Sequence, residues 1–252
     1  MTTQNHRDRL ALRTRGQAVR RALGLDEAHD TGAPGIRGLY DELIFGGVWS
    51  RPGLPQRDRL IATLAALAAL ERHSALKQYA KVAVTADVSA EAVREVILQT
   101  ALYTGFVAGE ENLAQVNAVL GEPDTQAPHG PDADADLDGL GVSLMEEMHG
   151  PRARAGYASG GGSPAELYDL AIRYGYGLLW NRPGLTRRER FITTVAVFTS
   201  LEQHTQLAKF AASAQNNGLS FEEIVEVAMQ VAPYSGFPRV LNALTVLDQI
   251  ER

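Results

Sequence analysis

The fold of this chain is set by a stretch that occurs twice, first as Trp49-Ser50-Arg51-Pro52-Gly53-Leu54 and again as Trp180-Asn181-Arg182-Pro183-Gly184-Leu185. Further pairs of segments match at the same offset of 131 residues, among them Leu70-Glu71-Arg72-His73 with Leu201-Glu202-Gln203-His204. Self-similarity at one fixed spacing is the signature of an internal repeat. We therefore predict a tandem duplication of one structural unit.

The composition is that of an ordinary soluble globular protein. The chain has 252 residues, no cysteine, 45% hydrophobic and 21% charged residues, and a net charge of −6. The missing cysteine excludes disulfides, thiolate metal sites and thiol nucleophiles. The acidic charge argues against nucleic-acid binding, which requires a basic face.

The sequence shows neither a membrane span nor a signal peptide. The longest apolar run, Leu60 to Leu70, has 11 residues, fewer than the ~18 of a membrane span. The first 25 residues are polar and rich in arginine, without the apolar region of a signal peptide. We expect a cytoplasmic protein whose partner is a small molecule, with no nucleic-acid or membrane partner.

The apolar residues recur with helical spacing, and no stretch alternates with the period of a strand. Two capping boxes, Thr186 to Glu189 and Ser220 to Glu223, predict helix starts. Ser163 before Pro164 predicts another, for a helix running to about Trp180. The predicted fold class is all-α, in two tandem helical domains.

The segment 121–143 is rich in Pro, Gly, Asp and Ala and lacks apolar periodicity, which is typical of a linker. It separates a first domain at residues 1–120 from a second at residues 144–252. Each domain is expected to have a leading helix, around Leu10 to Leu23 in the first and Leu144 to Met148 in the second.

The segment that follows Glu189 is too long for one ordinary helix. Thr205 and its counterpart Ser74 stand where an N-cap would begin a new helix. This predicts a helical hairpin in each half. Residues equally far from the bend should meet, so Glu189 is expected opposite Phe210.

These motifs resemble those of the carboxymuconolactone decarboxylase family, which also includes alkylhydroperoxidase D. The resemblance rests on the Trp-x-Arg-Pro-Gly-Leu turn, the Arg-x-Arg start of the next helix, the alanine-rich hairpin and the Tyr-x-Gly-Phe segment, and covers residues 36–120 and 144–250. It implies an all-helical domain that assembles as a ring of six. A tandem chain would then form a homotrimer with pseudo-sixfold contacts.

The sequence departs from the family pattern at two chemical groups. The peroxidase branch carries Cys-x-x-Cys near Glu71 to Ser74 and Glu202 to Thr205, and the absence of cysteine excludes thiol peroxidase chemistry. The decarboxylase branch carries Glu-Leu-x-x-His where this chain has Ala75 to Tyr79 and Gln206 to Phe210. The family histidine is therefore absent from both halves.

Two acidic residues are catalytic candidates. By the resemblance, Asp58 and Glu189 stand at the position of the proton-relay acid of the peroxidase branch. A carboxylate among apolar helices can have a raised pKa and act as a general acid or base. The alternative for Glu189 is a structural role in its capping box; Pro55 replaces Thr186 in the first half, so this alternative does not extend to Asp58.

Glu-x-His occurs at both hairpin bends, as Glu71 with His73 and Glu202 with His204. These residues replace the thiol region of the relatives, and histidine carries protons near neutral pH, so they are catalytic candidates. Alternatives are turn residues at a helix N-terminus, where Glu is favoured, and a metal site, for which Glu-x-His alone is weak. We predict no metal and no cofactor.

Arg51 and Arg182 are candidates to bind a substrate carboxylate in bidentate fashion, with a structural turn as the alternative. Aromatic residues at matching positions are candidates for core or substrate-pocket wall. They are Trp49, Trp180, Tyr79, Phe210, Tyr103 and Tyr234.

The family resemblance, together with the paired polar residues at the hairpin bends, implies a cofactor-independent enzyme. We expect it to act on a small carboxylated lactone or carbonyl compound by decarboxylation, isomerisation or ring chemistry through general acid–base catalysis. The pocket is expected between hairpins of neighbouring subunits or halves. The alternative, motivated by the lost family histidine, is a non-catalytic small-molecule binder or scaffold. Either half is a candidate for the active one: the first keeps a hydroxyl at Tyr79, and the second keeps the closer family segment, Tyr234 to Pro238.

Overall fold

The computed structural model of the protein describes residues 8–25, 33–126, 129–154 and 164–250, and within these ranges the chain forms helices and no strand. The predicted all-α fold is thus confirmed. The helices of the first repeat are α1 (Arg9–Ala22), α2 (Ile36–Leu39) continued by a π-helical segment (Tyr40–Trp49), α3 (Gln56–Ala69), α4 (His73–Thr85), α5 (Ala90–Thr104) and α6 (Phe106–Leu120).

The second repeat has the same order of elements, so the duplication in sequence is a duplication of structure. Its helices are α7 (Leu137–His149) with a 3-10 turn (Gly150–Arg154), α8 (Ala165–Leu170) continued by π-helical (Ala171–Leu178) and 3-10 (Leu179–Asn181) segments, α9 (Arg187–Ser200), α10 (His204–Asn216), α11 (Phe221–Ser235) and α12 (Phe237–Leu247). The N-cap predicted at Ser163 lies outside the described residues.

The leading helix of each repeat packs on the π-helical segment of the same repeat. Glycine makes the close approach possible: the Asp41 carbonyl leaves no room for a side chain at Gly16, and the Ile172 carbonyl does the same at Gly141. These two glycines are 125 residues apart. The leading helices therefore correspond at an offset of 125, whereas the rest of the repeat corresponds at 131.

Helix α7 begins earlier than the sequence pattern indicates. It starts at Leu137, inside the segment predicted as linker. The reason is local, because the Asp136 side chain accepts a hydrogen bond from the Gly139 amide and so caps the helix.

The predicted capping boxes are confirmed. The Thr186 hydroxyl accepts from the Glu189 amide while the Glu189 carboxylate accepts from the Thr186 amide, and Ser220 and Glu223 repeat this arrangement. Helix α3 begins after Pro55 without a side-chain cap. The starts of α9 and α11 are thus set by short-range sequence signals.

The predicted hairpin bends are confirmed. Residues 70–72 separate α3 from α4, and residues 201–203 separate α9 from α10. Glu71 and Glu202 make the turns with φ of 53° and 58°, in the left-handed region that few non-glycine residues adopt. The same unusual backbone therefore occurs at both repeats.

The N-caps predicted at Ser74 and Thr205 are wrong. The caps are Arg72 and Gln203, neither with a capping side-chain bond. The left-handed glutamate just before each cap reverses the chain, so helical geometry begins earlier than a Ser74 or Thr205 cap would allow.

Helices α3 and α9 pack against each other at the centre, while α5 packs on α9 and α11 packs on α3. One hydrophobic core therefore holds side chains of both repeats, such as Leu64 and Ile97 with Val195 and Val227. The two predicted domains share this core. Within the described ranges, no helix combines the length and the apolar character needed to cross a membrane.

Candidate functional site

Arginines of the first repeat pair with a glutamate of the second. Arg51 Nε donates to the two carboxylate oxygens of Glu226 at 2.8 and 3.0 Å. Arg59, which is only 2% exposed, donates to Gln230 Oε1 at 2.8 Å and to Glu226 Oε2 at 3.1 Å. Buried charges need such close pairing because their hydration is lost.

The second repeat shows the same arrangement with exchanged partners. Arg182 Nε donates to Glu95 Oε1 at 2.9 Å, and Arg190 donates to Gln99 Oε1 at 2.9 Å and to Glu95 Oε2 at 3.0 Å. The guanidinium groups of Arg51 and Arg182 thus bind protein carboxylates at the junction of the repeats. This geometry fits the structural alternative and lends no support to their predicted role as substrate ligands.

Asp58 and Glu189 also bind arginines across this junction. Asp58 Oδ2 accepts from Arg188 at 2.5 Å, and Glu189 Oε1 accepts from Arg57 at 2.6 Å. Burial raises the pKa of Asp58 although Arg188 opposes the shift. Burial acts likewise on Glu189, but hydrogen bonds from Thr186 and Arg57 outweigh it and hold the pKa of Glu189 below its usual value. Proton transfer by either carboxylate stays a prediction.

Within the second hairpin, Phe210 meets Phe191 and Phe198, with ring centroids 6.4 and 5.3 Å apart. Glu189, which the sequence places opposite Phe210, is turned toward the first repeat instead, because Arg57 binds its carboxylate there. The hairpin is therefore lined by aromatic rings where an acid was expected.

The four candidates at the bends are not brought into one site. Glu71 and Glu202 are exposed turn residues. Nε2 of His73 and of His204 is buried without a hydrogen-bond partner. In the part of the chain that the structure describes, no three His, Asp or Glu side chains are grouped to hold a metal ion. The metal alternative therefore lacks support there, and catalysis by these four residues stays a prediction.

An open cavity of about 700 Å³ lies in the second repeat, and the first repeat contributes part of its wall. Trp180, Phe198 and Phe210 form this wall together with Tyr103 of the first repeat. The Tyr103 ring centroid lies 4.7 Å from that of Phe198 and 6.3 Å from that of Phe210. Three of the six aromatic candidates, Trp180, Phe210 and Tyr103, thus line a cavity between the halves.

His149, the last residue of α7, lies in the cavity wall. Its Nδ1 is 2.6 Å from Ser213 Oγ, and its Nε2 is 2.9 Å from Tyr176 Oη. Ser213 Oγ also lies 3.1 Å from the Lys209 carbonyl and accepts from Arg152 at 2.9 Å. If Ser213 donates to the Lys209 carbonyl, it accepts from His149 Nδ1–H and the Nε2 lone pair faces the Tyr176 hydroxyl; if Ser213 donates to Nδ1, Nε2–H donates to Tyr176 Oη.

Burial, with the nearby charges of Arg152 and Lys209, lowers the pKa of His149 to about 4. Burial raises the pKa of Tyr176, and Tyr103 and Tyr168 add to the shift. At neutral pH the pair is therefore an uncharged imidazole hydrogen-bonded to an uncharged phenol. Such a pair combines a proton acceptor and a proton donor in one wall of the cavity.

The corresponding aromatic residues, Trp49 and Tyr79 of the first repeat and Tyr234 of the second, contact one another. Trp49 stacks on Tyr79 with ring centroids 5.9 Å apart. Trp49 Nε1 donates to Tyr234 Oη at 3.0 Å, and Tyr234 Oη donates to Tyr79 Oη at 3.0 Å. Trp49, Tyr79 and Tyr234 are thus hydrogen-bonded to one another.

The repeat comparison shows what the sequence analysis missed. Gly24 is the counterpart of His149 at the offset of 125, and Phe45 is the counterpart of Tyr176 at the offset of 131. Both polar groups therefore occur in the second half alone. A difference of this kind between two otherwise similar halves is the signal by which His149 and Tyr176 could have been found. Ser213, whose counterpart at the offset of 131 is Val82, shows the same difference.

Residues 34–116 and 165–249 match the model of the carboxymuconolactone decarboxylase family. These two segments make up more than half of the chain, which therefore belongs to this family. The fold and the paired segments are those of a tandem member.

Two curated proteins are similar to part of the chain. One is a 4-carboxymuconolactone decarboxylase of Acinetobacter baylyi, 39% identical over 85 residues, or 34% of this chain and 63% of that protein. The other is a nitrosuccinic acid decarboxylase of Metarhizium robertsii, 31% identical over 81 residues, or 32% of this chain and 57% of that protein. The chain thus spans about six-tenths of the length of each relative.

Proposed function

We propose that the protein is a cofactor-independent decarboxylase that acts on a carboxylated compound in the cavity of the second repeat. The observation that carries the proposal is the uncharged His149–Tyr176 pair in the wall of an aromatic-lined cavity. The names of the two relatives support the reaction type, since both are decarboxylases.

Decarboxylation requires delocalisation of the negative charge that forms on the substrate, and a proton for the carbon that loses the carboxyl group. The carbon–carboxyl bond breaks, carbon dioxide leaves, and the electron pair stays on the substrate, where an adjacent carbonyl, lactone or nitro group can delocalise it. The same carbon then takes a proton. Tyr176 is suited to donate it because its raised pKa keeps the phenol protonated. The phenolate that remains must regain a proton: His149 Nε2, 2.9 Å from Tyr176 Oη, is suited to take a proton from water in the open cavity and pass it to the phenolate.

The mouth of the cavity supports binding of an anion. Arg152 and Lys209 line it and are exposed there, whereas Trp180 and Phe198 are buried. A carboxylate would be attracted to the cations, while the aromatic wall excludes water from the reacting bond.

The test is carbon dioxide release, corrected for the spontaneous reaction, from 4-carboxymuconolactone, nitrosuccinate and short and aryl-substituted β-keto acids. We expect acceleration of at least one compound. His149→Asn and Tyr176→Phe should each lower kcat by about 10²- to 10⁴-fold, the range of general acid–base catalysis. Tyr174→Phe, at an exposed position of the same π-helical segment, is the matched control.

His204→Asn separates this proposal from the candidates at the bends. Activity that survives His204→Asn and is lost in His149→Asn supports the cavity site, and the reverse pattern overturns it. Compounds that bind without any turnover would favour the non-catalytic alternative.

A further inference from the structure

The cavity has two chemically different ends. Its inner wall is built of aromatic rings, with Trp180 only 3% and Phe198 only 4% exposed. Its exposed rim carries Arg152 and Lys209 together with the amides of Gln203 and Gln206. Among the described residues, no acidic side chain lines the cavity. A ligand that fills it therefore meets positive charge at one end and apolar surface at the other.

Arg152 is positioned by the protein without a carboxylate partner among the described residues. Its Nη1 donates to the Lys209 carbonyl at 3.1 Å, and its Nη2 donates to Ser213 Oγ at 2.9 Å. These two bonds use two of the five N–H groups of a guanidinium. Because Ser213 also bonds to His149 at 2.6 Å, the cation and the imidazole are fixed relative to each other.

The size of the cavity also restricts the ligand. Its volume of about 700 Å³ falls within the ~300–1,000 Å³ of pockets that enclose drug-sized molecules. A short dicarboxylate would leave most of this space empty. Bound at the rim beside Arg152 and Lys209, it would leave the aromatic wall unfilled; bound deeper, its second charge would lie against rings with no cation beside it, and an unpaired charge is costly to bury.

We propose that the substrate carries one carboxylate on a bulky, apolar, ring-containing body. The carboxylate lies at the rim beside Arg152, Lys209 and His149, and the rings lie inward against Trp180 and Phe198. This inference deepens the proposed function, because it names the substrate class of the same site.

Isothermal titration with three probes tests the proposal on the complete chain. The probes are 2-naphthoate, its uncharged analogue 2-naphthamide, and succinate. We expect 2-naphthoate to bind at least tenfold more tightly than either of the others, as about 1.4 kcal/mol of charge recognition would give. Failure of 2-naphthoate to bind, equal affinity for the amide, or equal or tighter binding of succinate would overturn the proposal.

Charge variants locate the carboxylate. Arg152→Gln should weaken 2-naphthoate binding at least tenfold and change 2-naphthamide binding less than twofold. Arg173→Gln, whose arginine forms an exposed ion pair outside the cavity lining, should change neither. If Arg152→Gln fails to fold, Lys209→Gln at its exposed position serves in its place. An equal loss for both probes would contradict the assigned orientation.

The two proposals can fail separately. Tight binding of 2-naphthoate with no decarboxylation of any tested acid would leave the substrate-class inference standing and defeat the proposed reaction. Turnover of short acids that depends on His149, with no binding of 2-naphthoate, would support the proposed reaction and defeat the substrate-class inference.

Discussion

The ring of His149 meets the ring of Phe210 edge to face, with centroids 5.1 Å apart. Phe210 stands at the position where the decarboxylase branch of the family carries its motif histidine. Under the proposed function, His149 of α7 takes the place of the imidazole that, by the family resemblance, α10 lacks. Position 149 on α7 and position 210 on α10 are thus alternative positions for an imidazole beside the same cavity.

This relationship predicts that a histidine at position 210 can replace the one at position 149. In a His149→Asn background, adding Phe210→His should restore kcat by at least about tenfold, a part of the 10²–10⁴ that general acid–base catalysis contributes. Adding Phe198→His instead, elsewhere in the wall, should restore nothing. The measurement is kcat of the single and double variants, and a double variant as inactive as His149→Asn would refute interchangeability.

Stability should depend on pH through His149. Its pKa is lowered from 6.5 to about 4 in the folded protein, so the unfolded state binds more protons between these values. The free energy of unfolding should therefore fall as the pH drops through this window, by at most about 1.4 kcal/mol per pH unit, and the histidine should contribute no slope above it. Partial exposure makes this an upper bound.

Urea denaturation at several pH values compares the protein with His149→Gln. The variant should lose this part of the slope, while contributions of other titrating groups cancel in the difference. Identical slopes would mean that His149 does not titrate differently in the two states.

The buried ion pairs between the repeats should contribute strongly to stability. Glu226→Gln leaves Arg59 buried without its carboxylate, and we expect a loss of about 3 kcal/mol, toward the lower end of values for breaking a buried pair. Asp138→Asn, in the exposed pair with Arg173, should cost about 0–1 kcal/mol. Urea denaturation measures both, and similar small losses would contradict the importance of the junction.

Tyr79→Phe should separate stability from activity. It removes the hydroxyl that accepts from Tyr234 at 3.0 Å, and a buried donor left without a partner costs about 1–3 kcal/mol. Turnover should be unchanged because the proposed site lies in the second repeat. A fall in kcat comparable to that of Tyr176→Phe would instead place catalysis in the first repeat.

The family resemblance predicts a homotrimer, for which three chains of 27.2 kDa give a mass near 82 kDa. Phe106 and Phe237, at matching positions of the two repeats, are 58% and 50% exposed, as contact residues of such a ring would be in an isolated chain. Size-exclusion chromatography with light scattering measures the mass. Phe106→Glu with Phe237→Glu should reduce it, and a 27 kDa species from the unaltered chain would contradict the trimer.

The sequence by itself determined the local structure and the duplication. Capping boxes at Thr186 and Ser220 extend over three residues, and helical periodicity extends over a few turns. Both can therefore be recognised in the amino-acid sequence. The hairpin bends follow from segment length. The exact caps at Arg72 and Gln203 were missed because a left-handed glutamate, not a side-chain preference, sets them.

Only the tertiary structure decided which side chains meet. Arg51 donates a hydrogen bond to Glu226, which lies 175 residues away in sequence, and His149 is hydrogen-bonded to Ser213, 64 residues away. Aromatic residues occupy matching positions of both repeats, but Tyr79 and Tyr234 hydrogen-bond to each other, whereas Phe210 and Tyr103 line an open cavity. Such outcomes depend on how helices from two repeats fill a shared core, and no pattern of nearby residues encodes that geometry.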